Sequence, residues 1–348
     1  MKKSAFLQRF FAVSIPICYL FVMFSPKNLS VSAEISHSKA ECVMELNSRR
    51  VLYETHGDIR LPMASTTKIV TAATVLELCE DIGAETAIPP EAVGIEGSSV
   101  YLKSGEIYSV EDLLYGLMLR SGNDCATALA LYCCGSINEF SAKMNKTAQK
   151  AGALSSNFKN PHGLPCDGHY TTARDLTGIA CYAMQNPVFR KIVSTQYYEP
   201  RHWKNKNKML TNYDGGIGIK TGYTKEAGRC LVSAAERDGM TLVCSVLNSP
   251  QMYERSAELM DDAFSAYRYL RIIKSDEPFT VDDGKTVKTG CTKQDFFYPL
   301  LPEETELIEI KVSGASKPKK SVKNKEIIGQ IEIYLLKRLL FSANLYKL

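Results

Sequence analysis

The sequence predicts an α+β fold in which helices pack on an antiparallel sheet, followed by a small all-β domain. Two β-prone runs near the N-terminus, at 42–46 and 51–54, flank a polar turn. The middle of the chain, from about 110 to 187, has the apolar periodicity of helices. After Gly215-Gly216 the pattern changes to strands, and beyond Lys274 short β-prone runs alternate with polar turns. Helices and strands that segregate along a chain are typical of α+β architectures.

The first 33 residues have the composition of a secretory signal peptide. Three basic residues in the first nine positions precede an apolar run at 10–24, and Val31-Ser32-Ala33 provides the cleavage point. A retained membrane anchor is the alternative, against which Pro16 and the short apolar core argue. Cleavage would remove Lys2, Lys3, Arg9 and Lys27 and would lower the formal charge from +4 to 0. That balance gives no indication of a nucleic-acid partner, and we expect an exported protein.

Each element of the first domain follows from a local pattern. Asn47-Ser48-Arg49-Arg50 predicts the turn of the N-terminal hairpin. The run from 65 to 78 is so apolar that the helix beginning near Ser65 should be buried. Four further helices are predicted at 110–119, 124–134, 137–151 and 172–185. Strands follow at 217–222, 229–236 and 241–247, with Asp238-Gly239 as a turn, and a last helix runs from about 253 to 270.

A change in composition near residue 275 predicts a domain boundary. The chain would then divide into the signal peptide 1–33, a motif-bearing domain 34–274 and a β domain 275–348. The β domain is predicted from runs at 279–281, 307–312, 327–334 and 338–345. Within it lies a basic run of Lys317, Lys319, Lys320, Lys323 and Lys325. This run is either a solvated hairpin tip or a contact for anionic wall polymer or lipid.

Cysteines and histidines point to no metal or cofactor. Ten of the eleven cysteines lie beyond the signal peptide, with irregular spacing and often inside apolar runs. We therefore expect small buried hydrophobic side chains in preference to disulfides, although an exported protein could form them. The five histidines are scattered and lack the spacing of metal ligands.

The first of three short motifs is Ser65-Thr66-Thr67-Lys68. Residues three apart on a helix share a face, so Ser65 and Lys68 should be neighbours. A serine hydroxyl is a poor nucleophile unless a base takes its proton. Lys68 can be that base only in its neutral form, which burial and a second cation would favour by lowering its pKa. Taken alone, the motif is better explained by Ser65 capping the helix and Lys68 remaining in solvent, and only the two further motifs reverse that preference.

The second and third motifs are Ser121-Gly122-Asn123, between two predicted helices, and Lys220-Thr221-Gly222, at the end of a strand. The Ser121 hydroxyl can pass a proton to a leaving amine, and the Asn123 amide can bind a substrate amide. Lys220 and the Thr221 hydroxyl can bind a substrate carboxylate, and Gly222 permits close approach of the backbone. Each tripeptide alone is weak, since the same residues occur in ordinary turns. Their order and joint presence make the set specific.

Longer stretches around the motifs carry a resemblance to a known family. They are Pro62-Met63-Ala64-Ser65-Thr66-Thr67-Lys68 together with 117–124, 160–164, 169–175, 218–224 and 227–228. Over about residues 38–348 the chain resembles serine-type D-alanyl-D-alanine carboxypeptidases, the low-molecular-mass penicillin-binding proteins. The resemblance implies a penicillin-binding/β-lactamase-like catalytic domain, a peptidoglycan stem peptide ending in D-Ala-D-Ala as substrate, and acylation by β-lactam antibiotics.

The resemblance also implies a role for each site residue. Ser65 would be the acylated nucleophile, Lys68 its base, Ser121 a proton relay and Asn123 a substrate ligand. The backbone N–H groups of Ser65 and Tyr223 would form the oxyanion hole. The substrate-binding set is then Asn123, Lys220, Thr221, Gly222, Tyr223 and, as an auxiliary carboxylate ligand, Arg255. His162, in the matching loop at 160–164, is expected to be structural.

Attachment to the membrane is where the chain departs from this family. Members usually continue beyond the β domain into an amphipathic helix that lies on the membrane, whereas this sequence stops at Leu348, directly after the last predicted strand. We expect a protein at the outer membrane face or in the wall, held weakly through the β domain and its lysines.

Two rival functions are weighed against a carboxypeptidase. A β-lactamase needs a glutamate that activates the deacylating water, in a Glu-x-x-Leu-Asn context between the second and third motifs. The acidic residues there are Asp124, Glu139, Asp167, Asp175, Glu199 and Asp214, and none has that context. The other rival is a catalytically weak β-lactam-binding wall protein, against which the intact Ser65, Lys68 and Lys220 argue.

Overall fold

A computed structural model describes residues 38–282, 286–320 and 326–348 of the chain, and only the backbone of residues 315–320. The predicted signal peptide and two lysines of the basic run, Lys323 and Lys325, lie outside the described residues. For the other three lysines of that run, Lys317, Lys319 and Lys320, the structure describes the backbone alone.

The first domain is organised around a five-stranded antiparallel sheet with the order β2-β1-β9-β8-β7. Its strands are β1 Ala40–Glu45, β2 Val51–Thr55, β7 Gly216–Thr224, β8 Gly228–Arg237 and β9 Met240–Leu247. This confirms the predicted N-terminal hairpin and the three strands after Gly215-Gly216. Strand β1 pairs with β9, so the two ends of the domain meet in the middle of the sheet. Strand β7 lies at an edge and leaves one side of its backbone unpaired within the sheet.

Helices cover both faces of this sheet. They are α1 Lys68–Leu78, α2 Val110–Tyr115, α3 Asn123–Cys134, α4 Ile137–Lys150, α5 Ala173–Met184, α6 Pro187–Ser194, α7 Met209–Asn212 and α8 Met252–Ala266. Helices α1 and α5 share one apolar core with the sheet, and α8 forms a second core on the opposite face. As predicted, α1 is buried, from Lys68 through Val75. The domain also contains two short antiparallel strand pairs, β3 Glu85–Ala87 with β4 Ile107–Ser109 and β5 Tyr197–Tyr198 with β6 Trp203–Lys204.

Two predicted helices differ in the structure. The helix expected at 110–119 changes to a π-helical turn at Gly116–Arg120, directly before Ser121. The last helix ends at Ala266, so the prediction that it reaches 270 is wrong. The residues that follow form a strand, β10 Arg268–Ile273, paired with β13. Its Tyr-Leu-Arg-Ile-Ile composition is aromatic and β-branched, which favours a strand once a partner is available.

The C-terminal part is all-β, as predicted. Its strands are β10, β11 Phe279–Asp282, β12 Val287–Cys291, β13 Phe296–Leu300, β14 Ile308–Lys320, β15 Glu326–Leu335 and β16 Arg338–Lys347. Five of them form an antiparallel sheet with the order β11-β12-β16-β15-β14. Isoleucines of β15, among them Ile331 and Ile333, provide its core. The hydrogen bonds between β10 and β13 cross the domain boundary that was predicted near residue 275. That boundary stays a prediction.

Arg50, in the turn of the first hairpin, links this β region to the five-stranded sheet of the first domain. Its guanidinium donates to the Pro299 carbonyl at 2.8 Å and forms a 2.6 Å ion pair with Glu304. The same group lies over the rings of Tyr267 and Tyr298. A planar cation that satisfies two acceptors and two aromatic rings holds the regions in a defined arrangement.

Cysteines in the described residues form no disulfide, and six of the ten are buried: Cys42, Cys125, Cys181, Cys230, Cys244 and Cys291. Burial agrees with their prediction as small hydrophobic side chains. Among the helices that the structure describes, none has both the length and the apolar character needed to span a membrane. The described part of the chain also contains no cluster of three or more His, Cys, Asp or Glu side chains placed to hold a metal ion.

Candidate active site

The first motif lies in a 3₁₀ turn, Ala64–Thr67, that leads into α1. Ala64 adopts a positive φ of 49°, an uncommon conformation for a residue other than glycine. Hydrogen bonds hold this turn: the His169 Nε2 lies 3.0 Å from Thr67 Oγ1, which donates to the Ala64 carbonyl at 2.8 Å. His169 Nδ1 accepts from the Lys159 N–H, so the ring proton is on Nε2. The segment around His169 therefore fixes the backbone that carries Ser65.

Ser65 and Lys68 are in contact, as their spacing predicts. The Lys68 Nζ lies 3.0 Å from Ser65 Oγ, 2.7 Å from Asn123 Oδ1 and 2.6 Å from the His162 carbonyl oxygen. Lys68 is completely buried, whereas Ser65 retains partial exposure. Ser65 is therefore the member of the pair that a ligand can contact from the solvent side.

The surroundings of Lys68 favour its neutral form. Burial is the main cause that lowers its pKa well below the ordinary range, and the positive charge of Lys220 lowers it further. A neutral amine has two N–H donors and one lone pair. Of its three hydrogen-bond contacts within the described residues, two, Asn123 Oδ1 and the His162 carbonyl, can only accept hydrogen bonds. The lone pair of the neutral amine then points at Ser65, the one contact that has a proton to give.

Lys220 lies in the edge strand β7 and is also buried, with 2% exposure. Burial, and then the charge of Lys206, lower the pKa of Lys220 to about 7. Its Nζ donates to the Thr221 carbonyl at 2.8 Å, and the Thr221 side chain is partly exposed. The pair offers a cation and a hydroxyl side by side, which suits a carboxylate ligand.

Gly222 brings β7 against the nucleophile turn. A Cβ atom at this position would lie 3.0 Å from the backbone nitrogen of Ser65 and 3.0 Å from the Met63 carbonyl oxygen. Only glycine allows this approach without displacing the turn. The next residue, Tyr223, has a side chain that is 65% exposed, with the Arg229 guanidinium 5.9 Å from its ring centroid. What Tyr223 can offer a ligand beside Ser65 is therefore its backbone.

The second motif connects the π-helical turn to α3. Ser121 has a left-handed backbone, φ 65° and ψ 31°, and only 6% exposure. In the described part of the chain its hydroxyl has no hydrogen-bond partner, so it can rotate toward a ligand. Asn123 is fixed on both sides of its amide: Oδ1 accepts from Lys68, and Nδ2 donates to the Glu96 carbonyl.

Arg255 is the one predicted site residue that the structure does not bring into this group. It lies on α8, which packs on the face of the sheet opposite α1. Its guanidinium makes a two-point ion pair with the buried Glu41, at 2.8 and 2.9 Å, and also donates to Tyr53 Oη. A buried carboxylate left unpaired is costly, so this guanidinium is committed to Glu41.

Two functional contributions were missed by sequence reasoning. Lys206 is a third cation whose charge lowers the pKa of both Lys68 and Lys220, and its backbone N–H donates to the Leu119 carbonyl at 3.2 Å. The carboxylate of Asp124 accepts from Ser99 Oγ and from the backbone N–H groups of Val100 and Leu102. It thereby holds a loop against the second motif. Lys206 stands in no motif, although the alternating lysines at 204, 206 and 208 are a weak signal. Asp124 ends the matching stretch 117–124, but the sequence alone assigns it no role.

His162 contacts Lys68 through its backbone, as expected for a structural loop. Its ring Nδ1 accepts from the Leu164 N–H at 3.2 Å. Burial and the neighbouring Lys68 lower the pKa of His162 to about 3, so the ring is neutral. The next residue, Gly163, has a φ of 90°. Position 163 requires glycine because a Cβ atom there would lie 2.0 Å from the Ala64 carbonyl oxygen.

Comparisons with known proteins agree with this geometry. Residues 27–251 match the family model of peptidase S11, D-alanyl-D-alanine carboxypeptidase. The D-alanyl-D-alanine carboxypeptidase DacF of Bacillus subtilis is 31% identical over 313 residues, which are 86% of this chain and 79% of that protein. The D-alanyl-D-alanine carboxypeptidase of Streptomyces sp. (strain K15) is 37% identical over 60% of this chain and 79% of its own length. Penicillin binding protein 5 from Haemophilus influenzae superposes with a TM-score of 0.73 at 25% identity, over 90% of this chain and 96% of that one.

Proposed function

The chain belongs to the D-alanyl-D-alanine carboxypeptidase family, peptidase S11, and is a serine peptidase of this class; we propose that Ser65 carries out the reaction. In this proposal the substrate is a peptidoglycan stem pentapeptide. The enzyme removes its terminal D-Ala through an ester between Ser65 and the penultimate D-Ala.

One observation carries the assignment of residues. Among the described residues, Ser65 provides the only hydroxyl in contact with the Lys68 amine, at 3.0 Å, while two carbonyl oxygens occupy the amine's N–H groups. A buried amine with its lone pair on a partly exposed hydroxyl is a general base next to a nucleophile.

Substrate binding is assigned to the edge strand. The terminal carboxylate lies on Lys220 and Thr221, and the peptide backbone runs along the unpaired edge of β7 as an added strand. Asn123 binds an amide of the peptide, and Gly222 leaves room for its backbone. The scissile carbonyl then lies at Ser65, with the backbone N–H groups of Ser65 and Tyr223 as donors to the oxyanion.

The chemical steps follow from these positions. Ser65 Oγ attacks the carbonyl carbon while its proton passes to the Lys68 Nζ, which gives a tetrahedral oxyanion and a lysine cation. When the carbon–nitrogen bond breaks, the leaving D-Ala nitrogen receives a proton through the Ser121 hydroxyl, which is resupplied from Lys68. The ester remains on Ser65. Water then attacks it, loses a proton to the neutral Lys68 and releases the shortened peptide.

The test is a digest of a purified stem pentapeptide, followed by mass spectrometry. We expect loss of one D-Ala from the pentapeptide, no cleavage of the tetrapeptide product, and no reaction with Ser65→Ala. Thr71→Ser, a conservative change of another hydroxyl on α1, should keep the activity. An unchanged rate in Ser65→Ala would refute the assignment. Penicillin labelling without D-Ala release would instead support the weak β-lactam-binding protein.

Location is proposed from the sequence and the substrate. A signal peptide cleaved after Ala33 would export the protein to the wall or the outer face of the membrane, with attachment through the lysines of the basic run. Such attachment should weaken at high ionic strength, because salt screens exposed charges beyond about 10 Å at 0.1 M. A membrane pool released only by detergent, with residues 1–33 retained on N-terminal sequencing, would contradict this proposal.

A further inference from the structure

A groove of about 410 Å³ opens beside the nucleophile turn. Leu61 and Pro62, which lead into that turn, form part of its wall, and Arg60, Asp167, Tyr170 and Glu226 line the rest together with the segment 165–169. Glu226 lies in the turn directly after β7. The groove is therefore reached by continuing along β7 past Tyr223, away from Lys220.

The groove contains charges of both signs that do not neutralise one another. The guanidinium of Arg60 lies 4.8 Å from the ring centroid of Tyr170, which orients it. Asp167 and Glu226, which also line the groove, have exposed carboxylates. Within the described residues, Arg60, Asp167 and Glu226 form no ion pair and accept or donate no side-chain hydrogen bond. Three unpaired charges around one groove suit a ligand that is itself charged.

The direction of the substrate places one specific side chain there. This step rests on the proposed function, in which the terminal carboxylate lies on Lys220 and Thr221 and the reacting carbonyl lies at Tyr223. An extended peptide advances about 3.3 Å per residue, so the residue before the acylated D-Ala lies toward Glu226. That residue is the third of the stem peptide. It is a diamino acid with a long side chain that ends in an ammonium group, and in its dicarboxylic form the same end also bears a carboxylate.

We propose that this groove binds the side chain of the third stem-peptide residue and selects the diamino-dicarboxylic form. Arg60 takes the side-chain carboxylate in a two-point contact, for which a planar guanidinium is suited. Asp167 and Glu226 take the ammonium group. A side chain with both charges satisfies all three residues, whereas a lysine side chain would leave Arg60 without a partner.

Three pentapeptides that differ only at the third residue test this inference. They carry meso-diaminopimelate, meso-diaminopimelate with its side-chain carboxylate amidated, and L-lysine. Because the groove is exposed and its charges are screened, we expect kcat/KM for the first to exceed the other two by about three- to tenfold. Arg60→Gln should abolish that preference, and Glu226→Gln should lower kcat/KM for all three. Arg268→Gln, an exposed arginine on β10, is the matched control and should keep the preference.

Each outcome decides the matter. Equal kcat/KM for the three peptides in the wild type, or a preference that survives Arg60→Gln, would overturn the subsite while leaving the carboxypeptidase proposal intact. Hydrolysis of none of them would sink the proposed function and this inference with it. A preference lost equally in Arg268→Gln would show that general surface charge, and not the groove, makes the selection.

Discussion

Two lysines and two histidines lie near Ser65, and the two kinds of side chain differ in the groups that their nitrogen atoms contact. Lys68 and Lys220 are buried, and so are most of the rings of His162 and His169. Burial lowers the pKa in all four cases. The histidine nitrogens bond to backbone groups or to Thr67, whereas the Lys68 amine contacts the nucleophile.

This difference shows that a perturbed pKa does not by itself identify a catalytic group. Desolvation disfavours charge wherever a basic group is buried, whether or not chemistry follows. The lysines are assigned to the reaction for two reasons. The Lys68 amine contacts the reacting hydroxyl, and the charge of Lys220 makes a second positive charge on Lys68 less favourable. The histidines hold the turn and the loop in place.

The largest effect is expected from Lys68→Arg. A guanidinium cannot give up its proton at working pH, so acylation by benzylpenicillin should slow by about 10²–10⁴-fold, the usual contribution of a general base. Stopped-flow or mass-spectrometric labelling rates measure this, and the thermal midpoint of the variant checks its fold. Lys143→Arg, an exposed lysine on α4, is the control. Labelling near the wild-type rate in a folded Lys68→Arg protein would remove the lysine from its role as base.

The pH dependence should separate the roles of the two lysines. Lys68 must be neutral, so kcat/KM should fall as the pH drops through its lowered pKa. Lys220 must be cationic to bind the carboxylate, so kcat/KM should also fall as the pH rises above about 7. Since the two groups interact, the apparent pKa values belong to the pair.

Lys220→Arg sharpens this prediction, because arginine stays charged across the accessible range. We expect the alkaline limb of the profile to disappear in this variant, with the acid limb retained. An alkaline limb identical to that of the wild type would mean that another group controls carboxylate binding.

The smallest catalytic effect is expected from the histidines. The folded-state pKa of His169, about 4, lies below the unfolded value near 6.5, so the unfolded chain binds more protons between these limits. The contribution of His169 is thus complete above pH 6.5 and is lost as the pH falls toward 4. His169→Asn should lower the free energy of unfolding by about 1–3 kcal/mol at pH 7 and weaken this pH dependence.

The acylation rate of the folded His169→Asn protein should change less than tenfold. His56→Asn, which replaces an exposed histidine, should change neither the acylation rate nor the free energy of unfolding. Urea titrations between pH 4 and 7 give the stability, and penicillin labelling gives the rate. A hundredfold loss of labelling in a fully folded His169→Asn protein would show that His169 takes part in the reaction and is not only structural.

How far the sequence predicts this site depends on whether the contacts are local. Ser65 and Lys68 are neighbours through helix geometry, and alternation along a strand explains Lys220 and Gly222. Apolar periodicity predicted most helices of the first domain. These conclusions need only residues that are close in the chain.

Contacts between distant residues could not be predicted in the same way. The end of α8 at Ala266 depends on the pairing of β10 with β13, more than twenty residues later. The ion pair between Arg255 and Glu41 joins residues 214 positions apart, and it holds Arg255 away from the other site residues. The contribution of Lys206 likewise requires the folded arrangement, because its effect comes from proximity to two lysines in separate elements.

The central claim is that Ser65 is the residue that becomes acylated. The most direct test is intact-mass analysis of the protein after benzylpenicillin treatment, followed by peptide mapping of the adduct. The account predicts a single adduct, located on Ser65 and absent from Ser65→Ala. An adduct on any other residue, or one that persists in Ser65→Ala, would contradict it.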